Sequence, residues 1–237
     1  MTEADPVSGP NDTPAPASNL MLRVASAAVL APVAVLAAYL GGWSFTAFWA
    51  LAALAVLWEW TTLVKGPIWV AAGVVYAAAM LAAPVLLRAD SELGLLAIVL
   101  LFAIVWTTDV LGYFAGRAFG GPKLLPAVSP KKTWSGAIAG TLGAIVIAII
   151  AAGFFGSFNR TAIALIALIL SIASQLGDLL ESWIKRQFGA KDAGSLIPGH
   201  GGVMDRLDGF WAAALVGCLI GLARGGFDAS ARGLLVW

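Results

Sequence analysis

Charge is scarce in this chain of 237 residues: 13 acidic and 14 basic side chains make up 11% of it, while 60% is hydrophobic. Soluble domains are about a quarter charged, so an ordinary water-facing surface is excluded. The net charge of +1 provides no basic field for nucleic acid. The one cysteine, Cys218, lies inside an apolar run; it excludes an intrachain disulfide and reads as packing. With one histidine as well, a zinc site has too few ligands. A GxSxG elbow for Ser-His-Asp acyl transfer is missing. No internal repeat and no coiled-coil heptad is visible.

What the chain has instead is a series of apolar runs, each long enough to cross a bilayer at about 20 residues. Backbone polar groups in hydrocarbon must be satisfied within the segment, so these runs are expected to be helices. The expected class is an all-α, polytopic integral membrane protein. About seven spans fall at 22–41, 44–64, 68–88, 92–115, 135–156, 161–181 and 207–224. Residues 1–21, with four prolines and no basic side chain, read as a disordered tail. Residues 22–237 read as a single transmembrane catalytic domain. With the N-terminus in the cytoplasm, ten of the fourteen basic residues fall at inside ends: Arg23, Lys65, Arg117, Lys123, Lys131, Lys132, Lys185, Arg186, Lys191 and Arg206. Only Arg88, Arg160, Arg224 and Arg232 fall outside, which is the positive-inside pattern. Trp43, Trp58, Trp60, Trp69 and Trp134 sit near span ends and read as interfacial anchors.

The polar residues gather in two islands. Five of the acidic residues lie between 178 and 208: Asp178, Glu181, Asp192, Asp205 and Asp208. Carboxylates at a membrane edge are expensive and are functional candidates by default. Asp178, Glu181, Ser182 and Lys185 recur at helical spacing and share one face. Downstream, "PGHGGVMDRLD" carries His200, a turn with glycines at 199, 201 and 202, and Asp205 and Asp208 at i, i+3. Glycines let backbone N–H groups approach an anion, although the P-loop pattern is not matched. The second island, residues 107–136, holds Asp109, Tyr113 and Arg117 on one helix face, then "SPKKTWSG" with Lys131, Lys132 and Thr133 before the next span. By the proposed topology both islands face the cytoplasm. Carboxylates, lysines and a glycine turn together suit Mg²⁺, which takes few carboxylates and shares phosphate oxygens.

Residues 182–208, "SWIKRQFGAKDAGSLIPGHGGVMDRLD", resemble the signature of the phosphatidate cytidylyltransferases, the CDP-diacylglycerol synthases. Ser182, Lys185, Arg186, Lys191, Asp192, Pro198, His200, Gly201, Gly202, Asp205, Arg206 and Asp208 all fit it. "QLGDLLES" and "SPKKTW" are similar too, so the likeness covers about residues 105–215. It departs at Ser135, where the family usually has glutamate, and in the short N-terminal part.

The resemblance implies transfer of the cytidylyl group of CTP to phosphatidate, giving CDP-diacylglycerol and pyrophosphate for phospholipid synthesis. The implied cofactor is Mg²⁺, with room for a second cation. The implied partners are CTP, phosphatidate and other lipids of a bacterial inner membrane, with a homodimer left open. On this reading Asp178 and Asp205 hold metal, with Asp208 and Asp192 as further or supporting ligands. Lys185, Arg186 and Arg206 act with them at the reacting phosphates. Lys131, Lys132, Thr133, Lys191, His200, Gly201, Gly202, Arg117 and Tyr113 contact the substrates. Two alternatives stay open at this point: a CTP-dependent lipid-alcohol kinase, and an ion-coupled transporter.

Overall fold

The computed structural model describes residues 16–156, 158–197 and 201–237. The chain runs through α1 (Pro16–Leu40), α2 (Gly42–Leu63), α3 (Pro67–Ala89) and α4 (Gly94–Phe119). A hairpin follows, β1 (Lys123–Leu125) and β2 (Ser129–Thr133). It leads into α5 (Trp134–Phe155), α6 (Arg160–Gln187), α7 (Met204–Gly225) and the short α8 (Ser230–Leu235). The helices α2 to α7 are six that are long and apolar enough to cross a membrane. In α1 the described apolar stretch is shorter, Val24–Leu40. Each expected span therefore meets one helix, and the chain is a helical integral membrane protein.

The differences lie at the ends, where the function is. Helix α1 begins at Pro16, inside the stretch read as tail; residues 1–15 lie outside the described part. Proline suits a first helical turn because its missing N–H would have no partner there. Helix α4 continues to Phe119 and α6 to Gln187, so Arg117 and Lys185 are helical. The residues 129–133, just before the next span, form a strand paired antiparallel to β1, with Lys123 opposite Thr133 and Leu125 opposite Ser129. Thr133 ends the strand and caps α5, its hydroxyl accepting the Gly136 N–H at 3.2 Å.

Helices in lipid gain little from burying apolar surface against each other and approach closely where side chains are small. Helices α4 and α5 do this through glycine: a Cβ at Gly136 would stand 2.5 Å from the Gly112 carbonyl oxygen, and one at Gly140 the same distance from that of Thr108. Helices α6 and α7 do it through Gly177, against the Asp208 carbonyl, and Gly209, against the Ser174 hydroxyl. Those two glycines adjoin Asp178 and Asp208 in sequence, so the close crossing brings the two carboxylates to one place.

Between the helices, Phe210 of α7 stacks on Trp49 of α2 at 5.0 Å and on Phe102 of α4 at 4.8 Å. Around them Val56, Met80, Ile98 and Leu101 are fully buried. Leu51, Val75, Leu142, Val146 and Phe154 point outward, as a lipid-facing surface requires. Trp43, Trp58 and Trp134 are exposed, in keeping with anchoring. Trp60 is not: it is 3% exposed, stacks on Tyr76 at 5.1 Å and donates its indole N–H to the Trp69 carbonyl at 2.7 Å. Its place is set by Gly73, where any Cβ would collide with the indole.

Candidate active site

Successive helices alternate in direction, so one end of the bundle collects the last turns of α2, α4 and α6 and the first turns of α3, α5 and α7. At that end the hairpin and α4 to α7 enclose a cavity of about 730 Å³. Both polar islands reach it. Its wall carries five carboxylates, Asp109, Asp178, Glu181, Asp205 and Asp208. Facing them are six cationic side chains, Arg117, Lys123, Lys131, Lys132, Lys185 and Arg206. Carboxylates this crowded repel one another, and the ammonium groups offset that repulsion.

The face of α6 expected from helical spacing is present. Ser182 donates to Asp178 Oδ1 at 3.4 Å, and Lys185 lies three residues further along. Lys185 Nζ stands 2.5 Å from Asp205 Oδ1 and 3.4 Å from Glu181 Oε1, so it bridges α6 and α7. Lys132, carried in by β2, forms an ion pair with Asp178. Glu181 is 2% exposed, and neither of its carboxylate oxygens receives a hydrogen bond. Buried polar atoms are nearly always satisfied; here the Lys185 ammonium offsets the charge on Oε1, and Glu181 lines a polar cavity whose ligand would complete the rest.

The start of α7 is held by carboxylates rather than left open. Asp205 Oδ2 accepts the Ala193 N–H at 3.0 Å and the Gly202 N–H at 2.9 Å. Glu59 of α2 accepts the N–H groups of Val203 at 2.9 Å and Met204 at 2.8 Å. The expectation that the glycine turn offers its amides to a nucleotide is therefore corrected at Gly202, whose N–H is already engaged. Gly201 does take the left-handed conformation that favours glycine, with φ of 88°, and pairs with Ile197 across a single bridge.

Thr108 and Gln175 also line the cavity, and a neutral hydrogen-bond network ties them to Thr141 and Ser171 behind the wall. Thr108 and Ser171 hydroxyls lie 2.8 Å apart, Thr141 is 3.1 Å from Ser171, and the Gln175 amide donates to Thr141 at 2.9 Å. Ser135 does not line the cavity; its hydroxyl donates to the Gly120 carbonyl.

Of the residues singled out from sequence, Asp109, Tyr113, Arg117, Lys131, Lys132, Thr133, Asp178, Lys185, Asp205, Arg206 and Asp208 line this cavity. Arg186, Lys191, Asp192, Gly201 and Gly202 do not line it. Arg186 follows Lys185 by one residue, which turns it to another face of α6, and its guanidinium donates to the Ala190 carbonyl at 3.0 Å. Lys191 and Asp192 are exposed on the turn after α6. His200 lies outside the described residues. Glu181, a functional candidate from its spacing but given no role, lines the cavity as well; Lys123 and Gln175 line it without having been expected there, and Glu59 was overlooked altogether. A glutamate in the middle of "LAVLWEWTTL" was signal enough, because a carboxylate in an apolar helix demands a partner.

Among the described residues no three carboxylates converge as a ready-made metal cage. Mg²⁺ does not require one: it usually takes one or two carboxylates and completes its shell with water and substrate phosphate. Glu181, whose oxygens are in no well-formed hydrogen bond, fits that need beside Asp178 and Asp208 in the same wall. Asp205 fits it less well, because both of its oxygens already accept hydrogen bonds.

The cytidylyltransferase family model matches residues 66–222. The chain is 40% identical to a phosphatidate cytidylyltransferase of Brucella abortus biovar 1 (strain 9-941), across 86% of this chain and 94% of that one. It is 38% identical to a phosphatidate cytidylyltransferase of Rickettsia bellii, across 81% of this chain and 86% of the relative. A shorter match, 46% identical over 129 residues, joins it to the enzyme of the same name from Haemophilus influenzae.

Proposed function

The chain belongs to the cytidylyltransferase family, and from that premise we infer that it acts as a phosphatidate cytidylyltransferase, making CDP-diacylglycerol and pyrophosphate from CTP and phosphatidate. The observation that carries this reading is the cavity in which both polar islands meet, five carboxylates against six cations at one end of a membrane bundle.

A phosphate oxygen of phosphatidate attacks the α-phosphorus of CTP. The new P–O bond forms as the bond to the β-phosphate oxygen breaks, and pyrophosphate leaves. The lipid supplies its own nucleophile, so no side chain needs to be modified. The chain contributes position and charge. Arg117, Lys123, Lys131 and Arg206 line the cavity where they can take phosphate oxygens of the two substrates. Lys132 and Lys185 rest on Asp178 and Asp205 and can shift toward phosphate when it arrives. One or two of Asp178, Glu181 and Asp208 would hold Mg²⁺. When bound, the ion would neutralise triphosphate charge and orient the reacting oxygens.

The site end and the N-terminus face the cytoplasm of a bacterial inner membrane in this proposal. Two arguments support that orientation: the excess of basic residues at the site end, and the supply of CTP from the cytosol. The acyl chains of phosphatidate stay in the bilayer, since removing each CH₂ from an apolar medium costs about 0.8 kcal/mol. Charges gathered at one end, with no repeated half, argue against a transporter.

The test follows label from CTP into lipid. Detergent-purified protein with phosphatidate and Mg²⁺ is expected to move an α-phosphate label into lipid, in a reaction that requires phosphatidate and stops with EDTA. Label entering lipid only from the γ-phosphate, with a lipid alcohol as acceptor, would make the protein a kinase. No transfer from either position would favour the transporter.

A further inference from the structure

Glu59 lies on α2, outside both polar islands, and does not line the cavity. It is 1% exposed among apolar neighbours, a costly place for a carboxylate. Its two oxygens are used separately: Oε1 accepts the Val203 N–H and Oε2 the Met204 N–H. These are amides of the opening turn of α7, whose partial positive charge favours an anion. The loop is shaped around the carboxylate. A Cβ at Gly194 would stand 2.7 Å from Oε1, and one at Gly202 would stand 2.7 Å from Oε2.

Most helices are capped by a side chain of their own first turn. Here Val203 occupies the cap position and has no side-chain oxygen to offer. The cap comes instead from a helix 144 residues earlier in the chain. A local cap would stabilise α7 wherever it lay; a cap from α2 also fixes where it lies. Glu59 is itself held, since Thr62 donates to its carbonyl at 2.8 Å and neighbouring Trp60 is tied to Trp69. Asp205 takes the adjoining amides of Ala193 and Gly202, so Glu59 and Asp205 divide four N–H groups between them. Asp205 and Asp208 follow within the next turn of α7.

We propose that Glu59 is a positioning residue for cytidylyl transfer: by gripping the Val203 and Met204 amides it sets the rotation and depth of α7, and so aims Asp205 and Asp208 into the cavity. This rests on the transferase reading above. A shift of about 1 Å in such groups can cost roughly 10²-fold in rate. Glu59→Gln keeps the shape but replaces one acceptor oxygen with a donor nitrogen facing a donor. Glu59→Asp keeps both acceptors on a shorter stem.

The experiment compares wild type, Glu59→Gln and Glu59→Asp as full-length protein in detergent. It measures kcat, the KM for CTP, and amide hydrogen exchange. Glu59→Gln is expected to lower kcat by about 10²-fold, with the KM for CTP held within about twofold. Exchange should quicken at Val203 and Met204 while Leu93 and Arg232, at the other end of the bundle, keep their protection. Glu59→Asp should recover part of kcat. Unchanged kcat in Glu59→Gln with faster exchange at 203 and 204 would overturn the proposal. So would a loss of kcat that only tracks a general rise in exchange. If wild type itself transferred no label to phosphatidate, the transferase reading would fail first; if wild type and Glu59→Gln transferred equally, only the role of Glu59 would fail.

Discussion

The two ends of the bundle treat charge in opposite ways. At the end away from the cavity, Asp90, Ser230, Arg88 and Arg224 have settled partners. Asp90 Oδ1 accepts the Glu92 and Leu93 N–H groups at 3.0 Å each, and its Oδ2 accepts the Arg232 N–H at 2.8 Å. Ser230 donates to the Leu86 carbonyl and Arg88 to that of Ala38. Arg224 donates to the Gly233 carbonyl and lies 3.6 Å over the ring of Trp237. At the cavity end, Lys185 is shared by Asp205 at 2.5 Å and Glu181 at 3.4 Å, and neither buried Glu181 oxygen is in a well-formed hydrogen bond. One end spends its polar groups on closing α3, α4 and α8 together. The other holds them in a less satisfied state that a charged ligand would complete. Stability and activity should therefore be separable by end, since sites kept ready for ligands are commonly less stable than they could be.

The largest effect should come from the cavity end and fall on rate alone. Asp208→Asn removes one of the crowded carboxylates, and catalytic turnover is expected to drop by about 10²–10³-fold, the loss typical of a group that stabilises transition-state charge. The melting temperature in detergent should hold or rise, because like-charge repulsion is relieved. A variant that lost activity and melting temperature together would blur the division between the ends.

At the far end the expected result is reversed. Asp90→Ala strands three backbone donors, and hydrogen bonds to a charged acceptor contribute about 1.5–3 kcal/mol. A lower melting temperature with unchanged kcat in the folded fraction would fit; a change in kcat would mean the ends communicate. Acid sharpens the contrast. Burial works to raise the Asp90 pKa, but the Leu93, Arg232 and Glu92 amides and the Arg232 charge outweigh it and hold the carboxyl below its ordinary value. A carboxyl with a depressed folded value stabilises fully above the unfolded pKa, roughly 4. That contribution fades as pH falls through the folded value. Between about pH 5 and 3, the melting temperature of wild type should fall more steeply than that of Asp90→Asn. Parallel curves would remove Asp90 from the clasp.

The same contrast governs what could be read in advance. The helices were legible because hydrocarbon leaves the backbone no alternative, and seven apolar runs meet α1 to α7. The face of Asp178, Glu181 and Lys185 was legible because spacing along one helix is local information. Their meeting with Lys131 and Lys132 was suggested by topology and is brought about by glycine crossings, which spacing alone does not reveal. The hairpin was hidden because Pro130 and two lysines make a poor strand; only its place over the cavity explains it. Glu59 was hidden for a different reason: its partners are backbone amides far away in the chain, and amides leave no mark in a sequence. Asp90 has an equally distant partner in the Arg232 amide.

The smallest effect should come from the most visible pair at the far end. Arg232 Nη1 and Glu92 Oε2 are 2.7 Å apart, yet their side chains are 57% and 67% exposed. Exposed ion pairs contribute about 0.2–1 kcal/mol and weaken with salt. The anchor of α8 at this point is the Arg232 amide on Asp90, and Arg232→Gln keeps that amide. The variant should therefore melt within about 1 kcal/mol of wild type at neutral pH. It should show part of the acid effect of Asp90→Asn, because the Arg232 charge that helps the amides hold the Asp90 carboxyl low is gone. Were Arg232→Gln to cost as much as Asp90→Ala, the side chain rather than the backbone would be closing this end, and the far end too would depend on long-range charge.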